Sequence, residues 1–339
     1  MFEGIANGWD MFKESLRVFV KFPVMMFPLL LVWCIYAPMI LYMKYGLKWE
    51  KFSQNESIMI VMAFIFSFAF LLAISCSVLL ELIQQIETGK EPDLLKAGFD
   101  TFAFNLIKMI PIVIVWTILW TVLAIISALL RKRNNRGDDD DTSEFNAQNA
   151  AQTLAGADGG KFSLSSYFID ALNKGIRMIV FLILPGIAWE NLGCFDAVQK
   201  GFRIFKLHLY EFASGFVLTE FASFIIFFPV ALMFALGIGK KGHSPIIVFP
   251  EYAWYLAMVY IAFAWSYSIY LEQMFVAELY LWHKKWEREF EALRASGDMR
   301  PFSFYDVKRP SLLDDTPDLI ENLPQRVKSK LEEKSPWHN

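Results

Sequence analysis

The stretch IANGWDMFKESL, at residues 5–16, decides the architecture because its pattern returns twice further along the chain. The second copy is LKAGFDTFAFNL at residues 95–106, and the third is VQKGFRIFKLHL at residues 198–209. In each copy an aliphatic residue precedes a glycine and an aromatic residue, and Phe and Leu follow at helical spacing. The defining residues are Gly8, Trp9 and Phe12, then Gly98, Phe99 and Phe102, then Gly201, Phe202 and Phe205.

Each copy has the pattern of an amphipathic helix. Its aliphatic, aromatic, Phe and Leu positions fall within one narrow arc of a helix. The opposite side of the first copy carries Asp10, Lys13, Glu14 and Arg17. A helix with one apolar face and basic residues along its edge is typical of a segment that lies flat in the membrane interface. The sequence therefore predicts three amphipathic interfacial helices, each followed directly by a long apolar run.

The spacing of the copies predicts an internal repeat. An offset of 103 residues relates Gly98 to Gly201, and the same offset relates two pairs of acidic residues. These pairs are Glu87 with Glu190 and Asp93 with Asp196. Internal repeats are common in polytopic membrane folds. We therefore expect a pseudo-threefold helix–hairpin repeat with units at about 3–88, 93–190 and 196–295.

The composition places the chain among helical membrane proteins. Of its 339 residues, 55% are hydrophobic and 17% are aromatic, and the mean hydropathy is +0.37. A soluble domain has an apolar fraction of roughly 45–50%. A soluble core also has no use for several uninterrupted apolar runs of about twenty residues. The formal net charge is -3, so charge gives no argument for a nucleic-acid partner.

The apolar runs predict six transmembrane helices in a membrane domain at residues 1–295. Their expected positions are 22–43, 57–80, 109–130, 175–195, 211–236 and from 252 onward, with the last helix continuing to about Ala295. The fourth has a purely apolar core only at 178–189, so crossing requires Arg177 to snorkel towards one interface. A re-entrant segment broken at Pro185 is the alternative. We favour a crossing because each repeat then contains a helical hairpin.

Two polar regions lie outside the predicted spans. Residues 131–165 contain an Arg-Lys-Arg run, four consecutive Asp residues and a stretch rich in Ala, Asn, Gln and Gly. This composition predicts a disordered loop. Residues 296–339 are polar and interrupted by proline, and they predict a C-terminal tail with at most a short helix near 325–334.

Two short blocks carry a resemblance to a known family. One is Ser15-Leu16-Arg17-Val18 followed by Phe27-Pro28-Leu29, and the other is Leu184-Pro185-Gly186-Ile187-Ala188-Trp189-Glu190. Together they resemble a prokaryotic family of multi-pass membrane proteins known as a domain of unknown function. The likeness covers about residues 8–236 and leaves out the acidic loop and the tail. It implies a fold and a membrane location, and no activity.

Glu220 is the most informative polar residue within a predicted span. It lies about nine residues into span five, near mid-depth, where an ionised carboxylate costs a few kcal/mol unless it is protonated, paired or hydrated. The repeat offset relates it to Thr117, so the two side chains are expected to face each other. Glu220 is then either a proton or cation site or a protonated carboxyl bonded to hydroxyl groups. Glu272, in span six, is expected near the membrane exit, in an interfacial role.

The remaining acidic residues of interest predict structural roles. Glu190 and Asp196 precede or begin the third amphipathic helix, and Glu87 and Asp93 occupy the same positions before the second. Carboxylates near a helix N-terminus cap its free N–H groups. The four histidines are scattered along the sequence without a metal-binding spacing. We therefore expect no catalytic residues, no metal and no cofactor.

Three function classes are compatible with these features. The first is a non-catalytic protein that organises lipid or assists the assembly of a membrane-protein partner or a homo-oligomer, and the interfacial helices favour it. The second is a small-solute or ion transporter or channel that uses Glu220. The third is an intramembrane enzyme acting on lipid. We expect the protein in the cell (inner or cytoplasmic) membrane with both termini cytoplasmic, because basic interfacial helices suit an anionic inner leaflet.

Overall fold

The structure, a computed structural model, describes residues 2–134, 164–237, 247–297 and 302–311. These residues form helices joined by short turns, with no β-strand among them. The helices are α1 Phe2–Lys21, α2 Phe27–Leu41, α3 Gln54–Glu87, α4 Leu94–Asp100, α5 Leu106–Asn134, α6 Leu164–Ala188, α7 Cys194–Leu207, α8 Leu209–Gly237 and α9 Glu251–Ala295. Most of the loop predicted at 131–165, and the short helix predicted near 325–334, lie outside the described residues.

Six helical segments in the described part of the chain are long and apolar enough to cross a membrane. They are Pro23–Leu41, Asn55–Glu87, Leu94–Ile126, Ala171–Ala188, Leu209–Gly237 and Glu251–Ala295. The prediction of a multi-pass helical membrane protein is thereby confirmed. The fourth segment is a continuous helix through Pro185 and not a broken re-entrant one. α9 runs unbroken for 45 residues, as expected for a helix that leaves the membrane and continues into water.

The three amphipathic segments connect to their spans in different ways. α1 ends at Lys21, and Phe22 has a non-helical backbone before a short 3₁₀ turn leads into α2. α7 ends at Leu207, and His208 has a non-helical backbone before α8 begins. α4 instead continues into α5 through a π-turn at Thr101–Asn105, so it forms the first turns of span three. A separate second helix was predicted, but no helix-breaking residue lies between Gly98 and Leu106 to separate it.

The three motif glycines also differ in their surroundings. A Cβ atom at Gly8 would collide with the side chain of Ser214 on α8, and one at Gly201 would lie 2.8 Å from Cγ1 of Ile183 on α6. A Cβ atom at Gly98 would meet nothing within 4 Å. Close helix packing therefore requires glycine in the first and third copies only. The interfacial placement of these helices and the repeat itself stay predictions.

The two ends of the bundle differ in packing, and α9 makes the difference plain. From 264 to 283 every residue except Trp265 and Tyr267 is buried. From 251 to 263 only Ala257 is buried. α3 shows the same difference. Residues 72–80 are all buried, whereas only Val61, Ile65 and Ala69 are buried at 55–71.

We name these two regions by their packing. The closed half comprises α1 together with residues 72–87 of α3, 178–188 of α6, 209–222 of α8 and 264–283 of α9. The open half comprises 55–71 of α3, 223–237 of α8 and 251–263 of α9. In the open half of α8 only Val230 is buried. Large apolar side chains of the open half therefore face the surroundings of the protein.

The beginning of the predicted polar tail packs against the closed half. Residues 302–311 include a 3₁₀ turn at Phe304–Asp306, and Val307 is buried. The indole Nε1 of Trp282 donates a hydrogen bond to the carbonyl of Val307 at 3.0 Å. The sequence did not predict this docking, because a polar, proline-containing segment has the composition of a solvated tail.

Candidate functional site

Four charged side chains from three spans meet where α6, α8 and α9 pack together. Lys174 and Arg177 come from α6, Glu220 from α8 and Glu272 from α9. A spacing of three residues places Lys174 and Arg177 on one face of α6, so both reach the same neighbours. With two cations and two carboxylates the group is formally neutral. We call these four residues the charge cluster.

Arg177 and Glu272 form its buried centre. The Nε and Nη2 atoms of Arg177 donate hydrogen bonds to Oε2 and Oε1 of Glu272, both at 2.7 Å. The Glu272 side chain has no exposed surface. Two parallel charge-assisted bonds are the geometry in which a guanidinium best stabilises a carboxylate. Removing either partner would leave the other charge buried and unpaired, which is strongly destabilising.

Lys174 lies between the two carboxylates. Its Nζ atom is 2.6 Å from Oε2 of Glu220 and 3.8 Å from Oε1 of Glu272. The ammonium group also donates to the carbonyl of Phe216 at 3.2 Å and lies 4.9 Å from the centre of that ring. Lys174 is itself buried. One lysine thus joins the buried pair to Glu220 on α8.

The charge cluster lies well inside the spans, away from their ends at the closed half. Eleven residues, or about 16 Å of helix, separate Arg177 from the end of α6 at Ala188. Eleven residues also separate Glu220 from the start of α8 at Leu209. The hydrocarbon layer is about 30 Å thick. The depth of Glu220 that was predicted from the length of span five therefore agrees with its position along α8.

Glu220 differs from the other three residues because it lies on the outside of the bundle. Its side chain is 63% exposed. The same outer face of α8 carries exposed apolar side chains above and below it, at Val217, Phe221, Phe224 and Phe228. We call this surface the α8 face. It is an apolar surface of lipid-like character that contains one carboxylate.

Comparison with known proteins offers no precedent for this arrangement. No family model, curated protein or solved structure matches the chain.

Three predictions about these residues are wrong. Thr117 and Glu220 are not partners: the hydroxyl of Thr117 donates to the carbonyl of Val113 on its own helix at 2.7 Å, and Glu220 binds Lys174. Glu272 does not lie at the membrane exit but is buried against Arg177, since α9 extends for 23 residues beyond it. Arg177 does not snorkel to an interface, because Glu272 provides an internal partner for its charge.

A second polar group lies at the closed end, around Glu190. This carboxylate accepts hydrogen bonds from Tyr280 at 2.5 Å and from Lys200 at 2.8 Å, and Nζ of Lys284 lies 3.2 Å away. Burial opposes its ionisation, but Lys284 and Lys200 outweigh that effect and hold the pKa of Glu190 below its ordinary value. Glu190 therefore fastens α7 to α9 through these charges, and it was wrongly predicted as a cap of α7.

The other predicted caps have mixed outcomes. Asp93 is the N-cap of α4, since its side chain accepts from the backbone N–H groups of Leu95 and Lys96. α7 instead begins after Gly193, and Asp196 lies within its first turn. Glu87 is the last residue of α3 and is buried there, so it does not cap α4.

Two histidines that are 75 residues apart in the sequence meet at the closed end. Nε2 of His208 lies 2.8 Å from Nδ1 of His283, and both side chains are buried. Burial, and secondarily the charge of His283, lowers the pKa of His208 to about 3. Sequence reasoning missed this pair because it depends on how α8 and α9 pack. Among the described residues, no group of three or more His, Cys, Asp and Glu could hold a metal ion.

Proposed function

We propose that the protein is a non-catalytic membrane protein that binds another membrane protein through the α8 face. The exposure of Glu220 near mid-depth supports this proposal. An ionised carboxylate that faces hydrocarbon costs at least a few kcal/mol. A transmembrane segment lying over Val217, Phe221 and Phe224 would remove Glu220 from lipid and would supply it with a further hydrogen-bond donor.

The composition of the charge cluster supports a binding role over a catalytic one. Arg177 and Glu272 satisfy each other, and Lys174 neutralises Glu220 without leaving the protein interior. Glu220 keeps acceptor positions on its exposed side because a carboxylate accepts about four hydrogen bonds. Polar residues act as selective contacts between membrane helices, where each interhelical hydrogen bond contributes about 0.6 kcal/mol and up to about 2 kcal/mol.

Site-specific photo-crosslinking in the native membrane tests this proposal. A benzophenone amino acid replaces Phe221 on the α8 face, and in the control it replaces Val115 on α5. These two side chains are 61% and 57% exposed. Phe221 lies twelve residues from the start of α8 and Val115 nine residues from the start of α5, a difference of about 5 Å of helix. We expect a protein adduct of discrete mass from position 221 only, and we expect Glu220→Gln to reduce its yield several-fold.

Two results would refute the binding role. Adducts with lipid alone at both positions would show that the α8 face is an ordinary lipid-facing surface. Equal protein adducts at 221 and 115 would show that contact is unspecific. An adduct of twice the mass of the chain would identify the partner as a second copy, which is one form of the proposed assembly.

A second candidate function is ion-linked transport of a small solute, and the position of Lys174 favours it. Its Nζ atom lies between Glu220 and Glu272, so protonation or ion binding at Glu220 would shift Lys174 towards Glu272. Flux measured in proteoliposomes tests this function. Transport that is coupled to an ion, and that becomes uncoupled in Glu220→Gln, would replace assembly as the function. Flux that is unchanged by Glu220→Gln would remove Glu220 from any transport mechanism.

We also propose that the chain is a threefold repeat of an interfacial helix followed by two spans. Helix contacts support it, because each amphipathic segment packs on the second span of the preceding unit. α4 packs on α3, α7 packs on α6, and α1 packs on α9, although α1 packs more extensively on α8. The contact between α1 and α9 joins the third unit to the first, so the order of the three units is cyclic. We likewise propose that the chain is related to the uncharacterised prokaryotic family that its two short blocks resemble.

We propose further that the protein lies in the cytoplasmic membrane with the closed end and both termini in the cytoplasm. The exit of α9 supports this orientation because it carries Lys284, Lys285 and Arg288. Cysteine substitutions at Ser53 and Ser296, both exposed, test it with a membrane-impermeant maleimide. We expect labelling at 53 from outside intact cells and labelling at 296 only after lysis. The reverse labelling pattern would show that the protein has the opposite orientation in the membrane.

A further inference from the structure

Residues 302–311, which we call the strap, lie across the closed end of the bundle. Apolar side chains hold the strap: Phe302 packs against the core and Pro310 is buried, and Phe304 and Val307 make the contacts described next. The ring of Phe304 is centred 3.9 Å from the rings of His208 and of Trp282. Val307 is 2% exposed, and its carbonyl accepts the indole N–H of Trp282. The strap therefore contacts the start of α8 and the end of the buried part of α9.

Three polar contacts connect the strap to three different helices. The hydroxyl of Tyr305 donates to Glu211 on α8. Nη1 of Arg309 donates to Oε2 of Glu278 on α9 at 3.5 Å, and the hydroxyl of Ser311 donates to Oε1 of Glu14 on α1 at 2.8 Å. Glu14, Glu211 and Glu278 are all buried. The strap thus brings one donor to a buried carboxylate on each of α1, α8 and α9.

These carboxylates make the helix contacts dependent on the strap. Glu14 and Glu87 lie close enough to Glu278 for their charges to act on it. Like charges that are buried near one another repel, and a nearby cation offsets the repulsion. Arg309 is a cation that the strap itself contributes. Without the strap, Glu278 would lose this cation, and Glu14 and Glu211 would each lose a hydroxyl donor.

The strap is also attached weakly enough to leave its site. Its only helical element is a single 3₁₀ turn, and Ser303, Tyr305, Asp306 and Lys308 are exposed. Segments with few buried contacts open locally at low free energy. α9 ends in a turn at Gly297, with φ of 76°, before the strap begins. A binding partner that engages the exposed side chains of the strap could therefore pull it away without unfolding α9.

We propose that the strap is a releasable latch that holds α1, α8 and α9 together at the closed end. Docking of Phe304, Arg309 and Ser311 keeps the closed half packed. Release of the strap exposes Glu14, Glu211 and Glu278 to water and loosens α1. None of the strap contacts described above involves a residue of the charge cluster. The latch is therefore independent of the binding role of the α8 face.

Thiol labelling of the reconstituted full-length protein tests the latch. In a background with Cys34, Cys76 and Cys194 replaced by alanine, Val307→Cys reports strap release and Ser303→Cys gives the rate of an exposed thiol. We expect Val307→Cys to react at least tenfold more slowly than Ser303→Cys. We expect Phe304→Ala to remove most of that protection, because Phe304 is the largest anchor.

A second thiol distinguishes a latch from a segment that merely rests on the surface. Ser15→Cys reports loosening of α1, since Ser15 is 1% exposed and hydrogen-bonded to Glu278. We expect Phe304→Ala to accelerate its labelling about as much as that of Val307→Cys. Arg309→Gln is a milder variant that should also accelerate the labelling of Val307→Cys and of Ser15→Cys. It keeps the test decisive if Phe304→Ala does not fold.

Two outcomes would overturn the proposal. Labelling of Val307→Cys as fast as that of Ser303→Cys, with Phe304 in place, would show that the strap is not docked. Faster labelling of Val307→Cys with unchanged labelling of Ser15→Cys, in both variants, would show that the strap does not hold α1.

Discussion

The closed and open halves of the bundle share the helices α3, α8 and α9 but pack them differently. In α9, the twenty residues from 264 to 283 are almost all buried, whereas only one of the thirteen from 251 to 263 is buried. The charge cluster lies where the two halves meet, since Glu272 belongs to the closed half and Glu220 borders the open half. The comparison teaches that stability resides in the closed half, and that the open half and the α8 face, which begins at Val217 within the closed half, are available for contact with lipid or a partner.

The largest expected effect follows from breaking the charge cluster. Arg177→Met leaves Glu272 buried without its main partner, which is expected to lower the free energy of unfolding by about 3–5 kcal/mol. The double variant Arg177→Met with Glu272→Met should regain most of this loss, because an apolar pair of similar volume replaces the ion pair. SDS titration in mixed micelles measures both. A single variant that unfolds like the original protein would contradict the importance of the pair.

The two halves can be compared directly with the same substitution on one helix. Leu279→Ala removes a fully buried side chain from the closed half of α9, and we expect a loss of about 2–5 kcal/mol. Leu256→Ala removes a side chain that is 63% exposed in the open half, and we expect a change within about 0.5 kcal/mol. The same SDS titration applies. Equal losses at the two positions would show that the halves do not differ in packing.

The motif glycines give a smaller, equally matched comparison. Gly201→Ala places a Cβ atom 2.8 Å from Ile183, so it should destabilise the protein by about 1–3 kcal/mol. Gly98→Ala meets open space on a helix and should stabilise by up to about 1 kcal/mol through helix propensity. Thermal unfolding in detergent gives the sign of each change. Destabilisation of the same size at both positions would mean that the two copies share one packing environment after all.

The last effect is a pH dependence at the closed end. The pKa of His208 is lowered to about 3 in the folded protein, mainly by burial and then by His283. The unfolded state therefore takes up a proton that the folded state does not, once the pH falls below about 6.5. Stability contributed by neutral His208 is complete above that pH. It declines by about 1.4 kcal/mol per pH unit as the pH falls towards about 3.

His208→Asn separates this effect from the protonation of carboxylates. We expect the variant to show a shallower loss of stability between pH 6.5 and 5 than the original protein. A circular dichroism melt at several pH values measures the two slopes. Identical slopes would show that His208 is accessible to protons in the folded state.

The sequence predicted the spans because each is encoded locally. A run such as Phe212 to Leu236 is apolar in itself, and no distant contact is needed to recognise that it can cross a membrane. The length of α9 was likewise predictable, since its pattern continues to Ala295 without a helix breaker. Connections were less predictable, because the π-turn at Thr101–Asn105 joins α4 to α5 without a distinctive sequence signal.

The sites were predicted only in part because they depend on helix rotation. The depth of Glu220 follows from counting along span five, but its partner Lys174 lies 46 residues earlier on another helix. Arg177 and Glu272 are separated by 95 residues, and only the packing of α6 on α9 brings them together. One signal was available: Lys174 and Arg177 are three residues apart, so a single helix face carries two positive charges within an apolar run. Two such charges require acidic partners inside the bundle.

The difference between the halves is tested most directly by hydrophobic photolabelling of the purified protein in lipid vesicles. A membrane-soluble carbene probe marks side chains in contact with acyl chains, and mass spectrometry of peptides from α9 locates the marks. We predict strong labelling of Tyr255, Leu256 and Val259 and almost none from 264 to 283. Uniform labelling along the helix, or labelling concentrated at 264–283, would contradict the account.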